Sequence, residues 1–124
     1  MATINKVTLS NSAGGRPILI TGTTSGSPTN IHTTGTNASV YDELWLYANN
    51  FSNSYVNITV QFGGTSANAT NNDQLWYNVP SQSGLTLITP GLVLNGDGSA
   101  GRQVSAFTST TNLVSVTGFV NRIS

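Results

Sequence analysis

Apolar and polar residues alternate with a period of two along almost the whole chain, and turn chemistry interrupts the alternation about every 8–12 residues, the spacing of an all-β sandwich or barrel. Thr3 to Leu9 puts Ile4 on one side and Val7 and Leu9 on the other. Ile18 and Ile20 share a face behind Pro17, a residue that marks a strand start or an edge. Residues 22–28 read as a Gly/Ser/Thr/Pro loop, followed by a short strand around Asn30–Thr33. From Tyr41 to Asn49, Leu44, Leu46 and Ala48 point one way and Glu43, Trp45 and Tyr47 the other. Val56, Ile58, Val60 and Phe62 line one face of the cleanest half-buried strand, with Tyr55, Asn57, Thr59 and Gln61 on its solvent side. The short, turn-rich stretch between these two strands predicts a hairpin.

Beyond them, Gly63 to Asn72 reads as a long loop of small residues, and Leu75, Tyr77 and Val79 alternate ahead of Pro80. Gly84 to Thr89 is strand-like, Pro90-Gly91 is expected to break it, and Leu92–Leu94 resumes. Asn95-Gly96-Asp97-Gly98 is a strong turn signal, and strands over Gln103–Phe107 and Asn112–Asn121 finish the chain. No stretch carries a 3.6-residue apolar stripe with caps, so essentially no α-helix is expected. Eight or nine short strands in residues 1–124 predict a single-domain antiparallel β-sandwich of jelly-roll or Greek-key type.

Composition adds a functional direction. Only 6% of the residues are charged, against a usual share of about a quarter, and Ser, Thr, Asn and Gly fill the polar positions. A chain of 124 residues can bury a core without disulfides or a metal, but a hydrophobic share of 37% makes that core thin and points to association. Lys6, Arg16, Arg102 and Arg122 are scattered through a chain of zero net charge, which argues against nucleic-acid binding. The N-terminus has no apolar signal-peptide core and no apolar run approaches the ~20 residues of a membrane helix, so synthesis in a cytoplasm and no membrane partner are expected. Zero Cys leaves the redox compartment open. Four Asn-x-Ser/Thr sequons, at Asn37, Asn50, Asn57 and Asn68, are expected by chance in so Asn- and Thr-rich a chain and read as unmodified.

Catalytic chemistry finds few carriers. Asp42 and Glu43 are adjacent, but neighbours on a strand face opposite ways, so they cannot share a substrate. Glu43 with Asp73 or Asp97 could supply a glycosidase pair, yet solvated or hydrogen-bonded loop carboxylates are the simpler reading. His32 is the only imidazole, without a nucleophile-elbow motif or a Cys partner, and reads as structural. Asp97 alone cannot build a calcium loop, and neither Gly14-Gly15 nor Gly63-Gly64 leads into a phosphate-binding signature. No enzyme activity, metal or cofactor is expected. Trp45 and Tyr47 share a face opposite the Leu44/Leu46 face, which leaves three roles open for them and for Trp76 and Tyr77: stacking on sugars, anchoring a protein interface, or filling the second side of a covered strand. With Arg16 and Arg122, these four aromatics are the candidate interface residues.

Blocks along the chain add a resemblance. Arg16-Pro17-Ile18, Ile31-His32-Thr33, Asp42-Glu43-Leu44-Trp45-Leu46-Tyr47-Ala48, Ile58-Thr59-Val60-Gln61-Phe62-Gly63-Gly64, Pro90-Gly91-Leu92 and Gly118-Phe119-Val120-Asn121-Arg122-Ile123 together resemble the head decoration, or cement, proteins of tailed bacteriophages. The long Asn-rich stretch Gly63–Asn72 departs from that pattern. The resemblance implies a β-sandwich subunit, usually trimeric, made in the host cytoplasm and seated on the outer capsid surface of the virion. There it would bind the assembled major capsid protein. It carries over no catalytic residue. The terminal strands Thr3–Leu9 and Leu113–Ile123 are the candidates for contacts between subunits. The alternative function is a carbohydrate-binding module or receptor-binding fibre component that uses exposed Trp and Tyr.

Overall fold

The computed structural model describes residues 2–64 and 73–124. Nine strands form in chain order: Ile4–Val7 (β1), Ile18–Leu19 (β2), Thr29–Thr33 (β3), Tyr41–Asn50 (β4), Val56–Phe62 (β5), Gln74–Val79 (β6), Thr86–Asn95 (β7), Gln103–Thr108 (β8) and Val114–Ile123 (β9). One 3-10 turn, Ala13–Gly15, lies between β1 and β2. The strands make two antiparallel sheets, one in the order β1-β9-β4-β7 with β2 also on β9, the other in the order β3-β8-β5-β6. The predicted loop at Gly63–Asn72 lies for the most part outside the described residues.

Alternation sets the core. The inward residues of β4 and β9 (Leu44, Leu46, Ala48, Val114, Val116, Val120) meet those of β5 and β8 (Val56, Ile58, Val60, Val104, Ala106) in one apolar cluster. Leu9, Ile20, Ile31, Val79 and Ile88 complete it from the edges. Because the inner faces of both sheets share this cluster, the all-β architecture is consistent with a sandwich.

β1 and β2 lie in line along β9, Ile4 opposite Ile123 and Leu19 opposite Ser115. Between them, the segment 8–17 leaves the sheet edge and crosses to the second sheet. Leu9 enters the core, the Asn11 N–H donates to the Ile31 carbonyl, and Ser10 Oγ accepts from the Thr33 N–H. That detour covers part of the β3 edge, which would otherwise present unpaired backbone groups.

The structure corrects three expectations. β4 and β5 are not a hairpin: β4 pairs with β7 and β9, and β5 with β6 and β8. The link between them carries the chain from one sheet to the other, and Asn50 fastens it. Fully buried, Asn50 donates to the carbonyls of Ser54 and Val79 and accepts from the N–H and hydroxyl of Ser52. Asn50→Ala would remove all four bonds; Ser52 Oγ still reaches the Ser54 carbonyl, but the Val79 carbonyl and the Ser52 N–H lose this partner. Since each unsatisfied buried group costs about 1–3 kcal/mol, a loss of roughly 2–3 kcal/mol is expected, read as a lower denaturant midpoint at an unchanged slope.

The second correction concerns β7, which runs unbroken through Pro90-Gly91. Its register on β4 shifts between Leu44 and Trp45, where Leu92 and Pro90 are the partners and Gly91 is the extra residue. Gly91 has a φ of 71°, a bulge conformation that glycine adopts without penalty. Pro90 is tolerated because β7 is an edge strand. The third correction is on β5. Thr59 and Gln61 point away from the core but are largely buried: Thr59 stands between Trp76 and Phe107 on the neighbouring strands, and the loop 22–28 reaches over Gln61, whose Nε2 donates to the Ser25 carbonyl.

Candidate interaction surface

An outward-facing sheet surface is ordinarily polar, yet that of the β1-β9-β4-β7 sheet is not. Strand register sets its rows. Tyr47 stands between Thr117 and Leu87, Trp45 between Phe119 and Pro90, Glu43 between Asn121 and Val93, and Tyr41 between Ile123 and Asn95. β1 extends the surface with Ile4 beside Ile123 and Lys6 beside Asn121, and β2 adds Leu19 beside Ser115. Five of these apolar or aromatic side chains are well exposed: Ile4 (67%), Val93 (51%), Leu19 (43%), Tyr41 (43%) and Leu87 (39%).

Trp45 is the organised centre of this surface. Its indole stacks on Phe119 with ring centroids 6.3 Å apart and planes 10° from parallel. Lys6 Nζ lies 4.7 Å from the Phe119 centroid, a cation over the ring face. On the other flank the Trp45 ring lies beside Gly91, where a Cβ would meet Cζ2 at 3.4 Å, an ordinary contact distance. Glu43 Oε1 accepts from the indole N–H at 2.8 Å and from Asn121 Nδ2 at 3.0 Å. These hydrogen bonds, Trp45 first, hold the Glu43 carboxyl below its ordinary range, so the side chain is an anion at neutral pH. The indole is thus held in one orientation before any partner arrives, which lowers the entropy cost of using it as a contact.

Behind this surface, at one end of the core, sits a buried ionic cluster. Asp42 shares the inward parity of Leu44 and is 1% exposed. Arg122 donates to both its oxygens, Nε to Oδ1 at 2.8 Å and Nη2 to Oδ2 at 3.0 Å. His32 Nε2 lies 2.8 Å from Oδ2, while His32 Nδ1 accepts from the Ser10 N–H at 3.0 Å. The Ser10 bond fixes the tautomer: the ring hydrogen sits on Nε2 and is donated to Asp42. Burial works against the Asp42 charge, but the hydrogen bonds and charge of Arg122, with those of His32, outweigh it and hold the carboxyl down at about 2. His32 reaches no hydroxyl in this arrangement. The cluster clamps β3, β4, β9 and the 8–17 detour together.

The other candidates are dispersed. Arg122 belongs to the ionic cluster, and Arg16 follows the 3-10 turn, where its carbonyl accepts from Ser12 Oγ. Trp76 and Tyr77 face opposite ways on β6: Tyr77, opposite Ile58, packs against the core, whereas Trp76, opposite Thr59, is 65% exposed on the outer face of the second sheet. Trp45 and Trp76 therefore stand on the outer faces of different sheets. Asp42 is a correction, since it is a buried strand carboxylate rather than a solvated loop one. Asp97 turns inward on its own loop, where Oδ1 accepts from the N–H groups of Ser99 and Ala100. Glu43 lies on the outer face of one sheet, and Asp73 just precedes β6 of the other. Among the described residues, no three His, Asp or Glu side chains gather as a metal site would require.

Sequence reasoning did not single out Phe119, Leu87 or Val93. Parity carried the signal for Phe119, which sits out of phase with Val116 and Val120. No known family, curated protein or solved structure matches the chain.

Proposed function

We propose that this chain is a structural virion protein, a decoration or cement subunit. It would bind the outer surface of an assembled phage head as a homotrimer and stabilise the lattice of the major capsid protein. The observation that carries this reading is the aromatic and aliphatic outer face of the β1-β9-β4-β7 sheet, with Trp45 held rigidly at its centre. Contiguous exposed apolar surface of this kind marks protein contact sites. Rigid aromatics at the middle of such a patch are the usual energetic anchors.

Two further features support the reading. The blocks that resemble phage decoration proteins include the strands that form this face, β4 and β9. The sheet orders β2-β9-β4-β7 and β3-β8-β5-β6 also fit a jelly roll of eight strands with β1 added, an architecture common in capsid proteins. In mechanism, the face buries its apolar surface against sister subunits and the capsid protein. Few charges have to be desolvated, because the chain has only four basic and four acidic residues. Each contact can be weak, since binding at three linked positions multiplies affinity through effective concentration. The reading assigns the protein no catalysis, cofactor, nucleic-acid partner or membrane.

Sedimentation of the purified chain, alone and with phage capsids, tests this. A mass of three subunits and co-sedimentation with capsids are expected. Leu87→Glu combined with Val93→Glu places two carboxylates on the exposed face without touching the core. That variant should keep the circular dichroism of the parent yet run as a monomer and leave the capsid pellet. A parent chain that stays monomeric and free of capsids would overturn the proposal.

A further inference from the structure

We propose that the outer face of the β3-β8-β5-β6 sheet carries a binding site for a neutral saccharide, independent of the assembly face. Strand register builds the site. Thr59 on β5 pairs with Trp76 on β6 and with Phe107 on β8, so an indole and a phenyl ring flank a small hydroxyl residue in one row. Neighbouring strands lie about 4.8 Å apart, which spaces the two aromatic Cα positions by roughly 10 Å. The trough between them suits one sugar ring. It is a groove of about 380 Å³, within the roughly 300–1,000 Å³ of small-molecule sites.

The lining chooses the ligand. Asn57 and Thr59 form the floor, and Thr23 and Ser109 stand at the rim. These side chains offer hydroxyl and amide groups that both donate and accept, as sugar hydroxyls do. No charged residue lines the groove, so it holds nothing to compensate a phosphate, sulfate or carboxylate. A purely apolar ligand would leave the floor hydroxyls and the Asn57 amide without partners. A pyranose satisfies both halves of the site, with its C–H face against an aromatic ring and its hydroxyls on the floor.

Trp76 is prepared for this role. Its N–H donates to Gln74 Oε1 at 3.0 Å, which fixes the ring while 65% of the residue remains exposed. The electron-rich ring face attracts the weakly positive C–H groups of a sugar. One row along the sheet, under the loop 22–28, Asn30 Oδ1 and Gln61 Oε1 are buried acceptors without a hydrogen-bond partner among the described residues. The polar character of the groove therefore continues beneath its wall.

The full-length protein should be applied to an array of neutral hexose and N-acetylhexosamine oligosaccharides beside sialylated and sulfated ones. The strongest neutral binder is then titrated by tryptophan fluorescence and by amide chemical shifts. Binding to neutral members, shifts centred on β5, β6 and β8, and little dependence on salt are expected. Trp76→Ala should weaken binding about tenfold or more while leaving the amide spectrum folded. Trp76→Tyr should retain part of the affinity, and Trp45→Phe should retain all of it. The proposal is overturned by an array without neutral binders, by binding confined to charged glycans, or by unchanged affinity in a folded Trp76→Ala protein. If Trp76→Ala instead abolishes capsid binding and no glycan binds, the groove is a protein contact and the saccharide site is disproved.

Discussion

Asp42→Ala is expected to lower folding stability by about 3 kcal/mol, the low end of the range for removing one partner from a buried ion pair. The loss has two sources. His32, 1% exposed, would keep its Nε2 hydrogen with no acceptor, because the Ser10 N–H occupies Nδ1 and prevents the ring from reversing its roles. Arg122 would lose both carboxylate bonds, although its side chain is 38% exposed and can turn to water. Arg122→Gln should accordingly cost less than Asp42→Ala, and a double-mutant cycle between the two positions should show coupling. Small domains are stable by only about 5–15 kcal/mol, so Asp42→Ala alone would visibly populate the unfolded state.

The same carboxylate predicts the response to acid. Its folded pKa of about 2 lies below the ordinary 3.8, so as pH falls the unfolded chain takes up the proton first. The stabilisation is complete above about pH 4 and is lost as pH falls through about 2. Two pH units correspond to roughly 2–3 kcal/mol. Denaturant titrations across that window should show the parent losing stability steeply with acid, while Asp42→Ala shows a flatter profile. A parallel pH dependence in the two proteins would remove Asp42 from this role.

How far the sequence could be read is visible in these residues. Period-two alternation located β4, β5 and β9, because a strand with one buried face must alternate wherever it pairs. The same parity holds for Asp42, two residues before Leu44, but the simpler reading of it as a loop carboxylate passes over that signal. Its partners were not legible, since His32 and Arg122 are 10 and 80 residues away and no local pattern reports contacts at that range.

Turn chemistry misled where it was read locally. The segment after Asn50 is as short and polar as a hairpin turn, but β4 and β5 each carry a strong apolar face, and packing those faces against one another buries more than laying the strands side by side. Pro90-Gly91 looked like a break because a proline interrupts a paired strand interior; on the edge strand β7, with Gly91 as the bulge, it only shifts the register. Of the two faces proposed as sites, parity set Trp45 opposite the Leu44/Leu46 face but left open whether Trp45 and Trp76 are covered, and only the sheet order separates the two.

Gly118→Ala is expected to be as damaging as the loss of Asp42, and for a reason that no side-chain contact reveals. Gly118 occupies an inward position of β9 opposite Leu46, in the long central pairing that also carries Trp45 and Phe119. A Cβ there would fall on the Trp45 carbonyl oxygen, with the Leu46 Cα 3.2 Å away. Neither obstacle is the end of a flexible side chain, so the β4 backbone itself has to move. Ordinary Gly→Ala replacement gains about 0.4–1 kcal/mol by restricting the unfolded chain. Here that gain is outweighed by displacement of paired backbone, and a net loss of roughly 3 kcal/mol is expected, a fall of roughly 10–20 °C in Tm for a small domain. Gly118→Val, with more bulk on the same carbon, should not accumulate as soluble protein. The displacement also reaches the proposed function, because the carbonyl that must yield belongs to Trp45. Gly118→Ala protein held below its Tm should therefore show altered Trp45 fluorescence and weaker self-association, whereas Gly91→Ala should lose stability through its positive φ while leaving the β4–β9 pairing intact. A Gly118→Ala chain with parental Tm and parental assembly would show that β9 can stand further from β4 than the close approach at this glycine implies.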